Sequence, residues 1–353
     1  MSGKMANPAN IVYFNPDRLR ADCLGCWCNV LLIVADGMQG RTAAPGHPCL
    51  TPNLERLARR GMRIRNAYTV LPTCSPARAS LMTGLLPHNH GVLEVEHGVD
   101  SDQCVLREDC SHWAQRLRES GYATAYFGKW HIERTCELER FGWDLFDTRG
   151  RKAHRDASQQ GGRGEDIPLD PDTVRYYSGP EGYNDALQYG VTRLPPEERP
   201  IGIPAARGES FLRDAPRDRP WCCCVSYYEP NEALIAGREA FSRYDIEKLP
   251  LPASLHDDLR DRPAIYRREQ EIWRDLPEDV WRRALACYYG RITEIDGQVG
   301  RLLDALDETG QRDNTLVIFT GDHGRYLGAH GLDAHNFGAF EESYHVPMIV
   351  AGP

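Results

Sequence analysis

Asn29-Val30-Leu31-Leu32-Ile33-Val34-Ala35-Asp36 is an apolar run without a break, closed at one end by an amide and at the other by an acid. Such a run reads as a strand buried on both faces. An apolar strand that ends on an acid is how open α/β sheets set a ligand group at their carboxyl edge. A second segment, Asn10-Ile-Val-Tyr-Phe-Asn-Pro-Asp17, has the same amide, apolar run and acid at the same spacing, but Asn15-Pro16 interrupts it. Local physics therefore favours Asp36 over Asp17 at the centre of a sheet, and only one of the two segments can occupy that place.

Working outward, three more strands deliver polar residues in the same way. Tyr122–Phe127 runs into Gly128-Lys129-Trp130-His131, Trp221–Tyr228 into Glu229-Pro230-Asn231, and Thr315–Thr320 into Gly321-Asp322-His323-Gly324. If the first of these strands continued, Lys129 and His131 would share a face. Helices are expected between the strands. Thr51 is a candidate N-cap for a helix with Pro52 in its first turn and Gly61 as its stop. Another helix is expected from His112 to Gly121, and a long amphipathic one from Trp281 to Thr309. The alternation predicts an α/β fold, a three-layer α/β/α sandwich with a mostly parallel central sheet. Residues 148–280 read as a variable region over a substrate mouth: loops and short helices to 215, and an irregular insertion over 240–280.

The stretch Leu71-Pro-Thr-Cys74-Ser-Pro76-Ala-Arg78-Ala-Ser-Leu-Met-Thr83-Gly84 reads as a turn running into a helix that Gly84 stops. Cys74 then sits just before a helix N-terminus, where free N–H groups and the dipole favour an anion or a thiolate. Arg78, one turn on, can add a fixed positive charge.

Cys74-x-Pro76-x-Arg78 followed by Thr83-Gly84 resembles the signature of type I sulfatases, formylglycine-dependent members of the alkaline phosphatase superfamily, close to phosphonate monoester hydrolases. Gly128-Lys129-Trp130-His131 and Asp322-His323 resemble further segments of that family, and the likeness covers nearly the whole chain. It implies that Cys74 is oxidised to formylglycine by a formylglycine-generating enzyme. It implies that Lys129, His131, Asn231 and His335 bind the ester, with Arg78 and Lys129 neutralising it. It also implies one divalent metal held by Asp36 (or Asp17), Cys74, Asp322 and His323. Here the resemblance favours Asp17, because Arg20-Ala-Asp-Cys-Leu-Gly-Cys-Trp27 looks like what usually follows the metal-binding Asp; residues 28–45 would then be an insertion.

The chain also departs from the family pattern. Gly37 (or Arg18) stands where a second acid is usual, Asn231 where a His is usual, and His335 where a Lys is usual. An amide donates a hydrogen bond but carries no proton in turnover. An imidazolium could replace the Lys near or below its pKa. Calcium is the family's usual ion; fewer carboxylates and an imidazole make manganese or zinc plausible. The substrate implied is a small-molecule sulfate ester, with a phosphonate or phosphate ester as the alternative. A truncated, non-catalytic relative is the reading from a different class. The chain stops at Pro353, so a single catalytic domain over 1–353 is expected, without the family's small C-terminal subdomain.

A net charge of −9 argues against a general nucleic-acid binder, no apolar run is long enough for a membrane span, and the N-terminus lacks a secretion-signal core, which reads as cytoplasmic. Cys222-Cys223-Cys224 read as small buried side chains pointing alternately to opposite faces, and Cys23-Leu-Gly-Cys26 has no matching pair downstream to hold zinc.

Overall fold

The computed structural model describes residues 28–100, 102–148, 167–177 and 186–353. Its centre is a seven-stranded sheet in the order β2-β10-β9-β1-β7-β3-β4. The strands are β1 (Asn29–Asp36), β2 (Met62–Arg63), β3 (Ala123–Gly128), β4 (Leu145–Asp147), β7 (Trp221–Pro230), β9 (Thr315–Gly321) and β10 (Met348–Ala351). Five of them, β9-β1-β7-β3-β4, run parallel, and β10 and β2 are added antiparallel at one edge. A small second sheet, β5-β6-β8, is formed by Arg175–Tyr177, Ala186–Thr192 and Leu234–Gly237.

β1 is the middle of this arrangement. β1 pairs with β7 on one side (Leu32 opposite Cys224) and with β9 on the other (Leu32 opposite Ile318). Residues 29–36 are therefore the central strand, and the expectation that 28–45 is an insertion does not hold for them. The physical reason is the uninterrupted run Val30–Ala35, which can be buried on both faces. Asp17 lies outside the described residues.

Side chains alternate along the strands and build two cores. Leu31, Ile33, Ala125, Phe127, Cys223, Val225, Val317 and Phe319 face one side. Leu32, Val34, Tyr126, Cys222, Cys224 and Ile318 face the other. Over the first side lie α1 (Pro52–Arg59), α4 (Gly202–Asp214) and α6 (Glu278–Glu308). The stripe of α6, including Leu285, Ile292, Ile295, Val299, Leu302 and Leu306, is fully part of that core. Over the second side lie α2 (Cys74–Thr83) and α3 (Trp113–Glu119), with Ala79, Met82 and Ala114 packed beside Trp130 and Trp143. The result is the α/β/α sandwich expected from the alternation.

Two regions differ from expectation. α4 belongs to the core through Ala205 and Leu212 rather than capping a mouth, and residues 240–280 contain a regular helix, α5 (Ala264–Trp273). Their charged, Pro-rich composition hid periodicities that short helices show weakly. Among the described residues no helix is long and apolar enough to cross a membrane.

Candidate metal centre and nucleophile site

Because β9, β1, β7 and β3 are parallel, their carboxyl ends meet at one edge, each with a polar residue at or just beyond its end. β1 brings Asp36, β9 brings Asp322 and His323, β3 brings Lys129, and β7 brings Asn231. α2 closes the group with Cys74. The thiol residue opens that helix, with extended Thr73 as N-cap, rather than preceding it; Gly84 ends the helix in the left-handed region.

Asp36, Cys74, Asp322 and His323 are all buried, and one ligand atom from each lies within 4.8 Å of the others. His323 Nε2 is 3.1 Å from Cys74 Sγ, 3.6 Å from Asp36 Oδ1 and 3.7 Å from Asp322 Oδ1. Its Nδ1–H donates to the Gly324 carbonyl at 2.8 Å, which fixes the ring and leaves Nε2 for the cluster. Asp322 Oδ1 accepts from the backbone N–H of Gly37 (3.1 Å) and of His323 (2.8 Å).

Three cations hold this acidic knot together. Arg78 is wholly buried: Nε donates to Asp322 Oδ2 at 2.7 Å, NH2 to Asp36 Oδ2 at 3.3 Å, and NH1 to Ser226 Oγ at 2.7 Å and the Lys129 carbonyl at 2.9 Å. Lys129 Nζ donates to Asp36 Oδ2. Burial pushes the Asp36 carboxyl up, but Lys129, Arg78 and His323 outweigh it and hold it well below the usual range. Burial alone would push His323 down; the carboxylate of Asp322, the Cys74 sulfur and Asp36 instead raise it to about 10. A proton on Nε2 and a metal ion are thus alternative ways of satisfying the same carboxylates.

The donor set of two carboxylates, one oriented imidazole and the side chain of residue 74 fits a divalent cation. Position 37 offers no second acid: it is a glycine with φ +69°, and its N–H serves Asp322 instead. With so few oxygens, water would have to complete a calcium shell, whereas manganese or zinc accept the imidazole readily.

The remaining expected residues divide. Asn231 is present, with Nδ2 4.0 Å from Cys74 Sγ. His335 stacks on His323 with ring centroids 4.3 Å apart, its Nε2 3.7 Å from the sulfur. The imidazolium expected at His335 is corrected: burial, and then the neighbouring His323, push it down to about 3, so the ring is neutral. Arg78 is also corrected. Its guanidinium is committed to the two carboxylates, so it positions them rather than meeting an ester. His131 does not share a strand face with Lys129. β3 ends at Gly128, and His131 takes φ +56°, turning its ring toward His97 (3.1 Å) and Glu96 (3.7 Å).

Sequence reading missed Ser226 and Arg325. Ser226 Oγ accepts from Arg78 and donates to the Lys129 carbonyl at 2.8 Å, bridging β7 and β3. Arg325 is buried, donates to Asp333 at 3.0 Å and to Glu232, and lies 3.5 Å from Asn231 Oδ1. A charged residue two places after His323 was the only signal for it; Ser226 gave none beyond its place near a strand end.

The sulfatase family profile matches residues 28–353. The chain is 28% identical to an arylsulfatase of Clostridium perfringens over 98% of its own length and 68% of that protein's. It is 30% identical to a choline-sulfatase of Rhizobium meliloti over 92% of its length and 62% of that protein's. Among solved structures, the phosphonate monoester hydrolase SpPMH from Silicibacter pomeroyi superposes with a TM-score of 0.69 at 25% identity, covering 92% of this chain and 68% of that one. The chain therefore spans about two thirds of the length of the relatives it matches. Its buried strand ends, its Cys-x-Pro-x-Arg helix and the family match over all but the first residues agree: this chain belongs to the sulfatase family.

Proposed function

We propose that this protein hydrolyses sulfate monoesters, with residue 74 as nucleophile after oxidation of its thiol to formylglycine by a formylglycine-generating enzyme. One divalent cation would be held by Asp36, Asp322, His323 and the side chain of residue 74. The observation that carries this reading is the convergence on Cys74 Sγ of His323 (3.1 Å), His335 (3.7 Å), Asp36 (3.9 Å) and Asn231 (4.0 Å), drawn from separate parts of the chain.

The bound cation would offset the negative oxygens of the ester and favour ionisation of a hydroxyl beside it. Formylglycine would supply a hydrated aldehyde, which a plain thiol cannot, and so a route for releasing the acid after attack. The chain's own residues supply the rest. Lys129 is a buried ammonium beside Asp36, a fixed charge for an anionic group. Arg78 holds Asp36 and Asp322 in place and helps keep Asp36 ionised. Asn231 can donate a hydrogen bond but not a proton, and the neutral ring of His335, whose Nε2 faces residue 74, serves as a hydrogen-bond partner there. Substrate is a small-molecule ester, and neither nucleic acid nor membrane is invoked.

A second reading is a phosphonate or phosphate ester hydrolase on the same scaffold. The pair Asp322-His323 and the glycine at position 37 favour it, as does the likeness to a phosphonate monoester hydrolase. One experiment addresses both. The chain is co-expressed with a formylglycine-generating enzyme, residue 74 is examined by peptide mass spectrometry, and rates on aryl sulfate and aryl phosphonate esters are compared. Aldehyde at residue 74 with faster sulfate turnover is expected. Faster phosphonate turnover favours the second reading. A fully unmodified thiol in a folded protein that binds no divalent ion would leave the non-catalytic relative.

A further inference from the structure

A second group of metal-binding side chains lies beside the first. Glu96, His97 and His131 place one ligand atom each within 4.8 Å of one another. His97 Nδ1 and His131 Nε2 are 3.1 Å apart, and His131 Nε2 is 3.7 Å from Glu96 Oε1. Zinc bound at about 2.0–2.1 Å sets tetrahedral ligand atoms roughly 3.3 Å apart. The two separations from His131 bracket that edge and the third lies within 4.8 Å, so an ion can seat on these three atoms once the side chains close on it.

Two features show that the arrangement is built rather than incidental. His131 holds φ +56°, a left-handed backbone that a non-glycine residue adopts at a cost of about 1 kcal/mol. That turn is what carries its ring away from the continuation of β3 and onto Glu96 and His97. Glu96 is likewise fixed: its N–H donates to Ser75 Oγ at 3.1 Å, and Arg134 Nε lies 3.3 Å from Oε2, leaving Oε1 toward the imidazoles. His97 is exposed, which gives an ion a way in and leaves room for water as a fourth ligand.

We propose that Glu96, His97 and His131 form a second, exchangeable site for zinc or a similar transition-metal ion at the mouth of the nucleophile site. Two imidazoles and one carboxylate with an open position are a donor set that selects such ions over calcium and magnesium. Each neutral ring binds through the lone pair of the named nitrogen with its proton on the other ring nitrogen, and no redox step is involved. The consequence for turnover rests on the function proposed above: Glu96 is tied to Ser75, next to residue 74, so an ion held there crowds the approach of an ester and zinc inhibits.

The test uses tag-free full chain carrying Asp322→Asn, which disables the first cluster, with and without His97→Ala. His97 is exposed and takes no part in the proposed chemistry, and circular dichroism of the double variant checks that the fold is kept. Zinc uptake is measured by competition with a chromophoric chelator. The Asp322→Asn protein is expected to take up one more zinc per chain than the double variant; equal uptake overturns the site. Separately, in protein with Asp322 intact and active on an ester, His97→Ala is expected to tolerate at least tenfold more zinc before half inhibition. Equal sensitivity would sever the link to turnover, whereas absence of ester hydrolysis altogether tells against the proposed function and leaves the uptake result standing.

Discussion

Arg78 holds more of the site than its place one helical turn after Cys74 suggests. One guanidinium joins Asp36, Asp322, Ser226 and the Lys129 carbonyl, which lie on or just beyond four strands. Replacing it by methionine keeps much of the volume but leaves two buried carboxylates short of a partner. Removing one member of a buried ionic group costs about 3–5 kcal/mol. Arg78→Met is therefore expected to unfold at markedly lower denaturant than the parent chain, and manganese or calcium should recover part of the loss by supplying the missing charge. Denaturant melts with and without the ion read both effects; a variant as stable as the parent, or indifferent to the ion, would show that Arg78 is not the clamp described.

The strands explain how much of the molecule could be read without coordinates. β7 carries Cys222, Cys223 and Cys224, and their side chains alternate between the two cores as a pleated strand requires. Burial pushes all three thiols upward, while Cys136 is exposed. Brief treatment of native protein with iodoacetamide should thus label Cys136 and spare all three on β7, as judged by peptide mapping; early labelling of Cys223 would contradict the strand's burial. Period and punctuation alone gave this strand, along with β9 and α6, because apolar runs and helical stripes are local properties. Asp36, Asp322, His323 and Lys129 were legible as residues at strand ends. The direction of His131, the bridging role of Ser226 and the neutrality of His335 were not. Each depends on what another strand or loop places alongside, and nothing local to residue 131 announces a positive φ. The doubled motif at Asp17 and Asp36 was decided only by pairing, since β1 has β7 along one edge and β9 along the other.

At the scale of the whole molecule, two buried histidines tie stability to acidity. Burial lowers His90 to about 4 and His112, set among Trp113, Trp130, Phe141 and Trp143, to about 3. The unfolded chain binds protons at these positions near pH 6.5 and the folded chain does not. The stability these two groups contribute is fully present above that pH and is lost as pH falls toward 4, with a joint slope approaching about 2.7 kcal/mol per pH unit. His112→Asn keeps an N-cap for α3 while removing one proton, and should flatten the acid limb of denaturant midpoints measured from pH 7 to 4; an unchanged limb would exclude His112 as its source. The topology carries one more consequence. Neither sheet neighbour of β1 exists until Trp221 and Thr315 have been added. A growing polypeptide therefore leaves the ribosome with an apolar ribbon whose two hydrogen-bonding edges stay open through most of translation. Soluble yield in a host cell will accordingly respond to chaperone supply and elongation rate more than to the resilience of the finished protein.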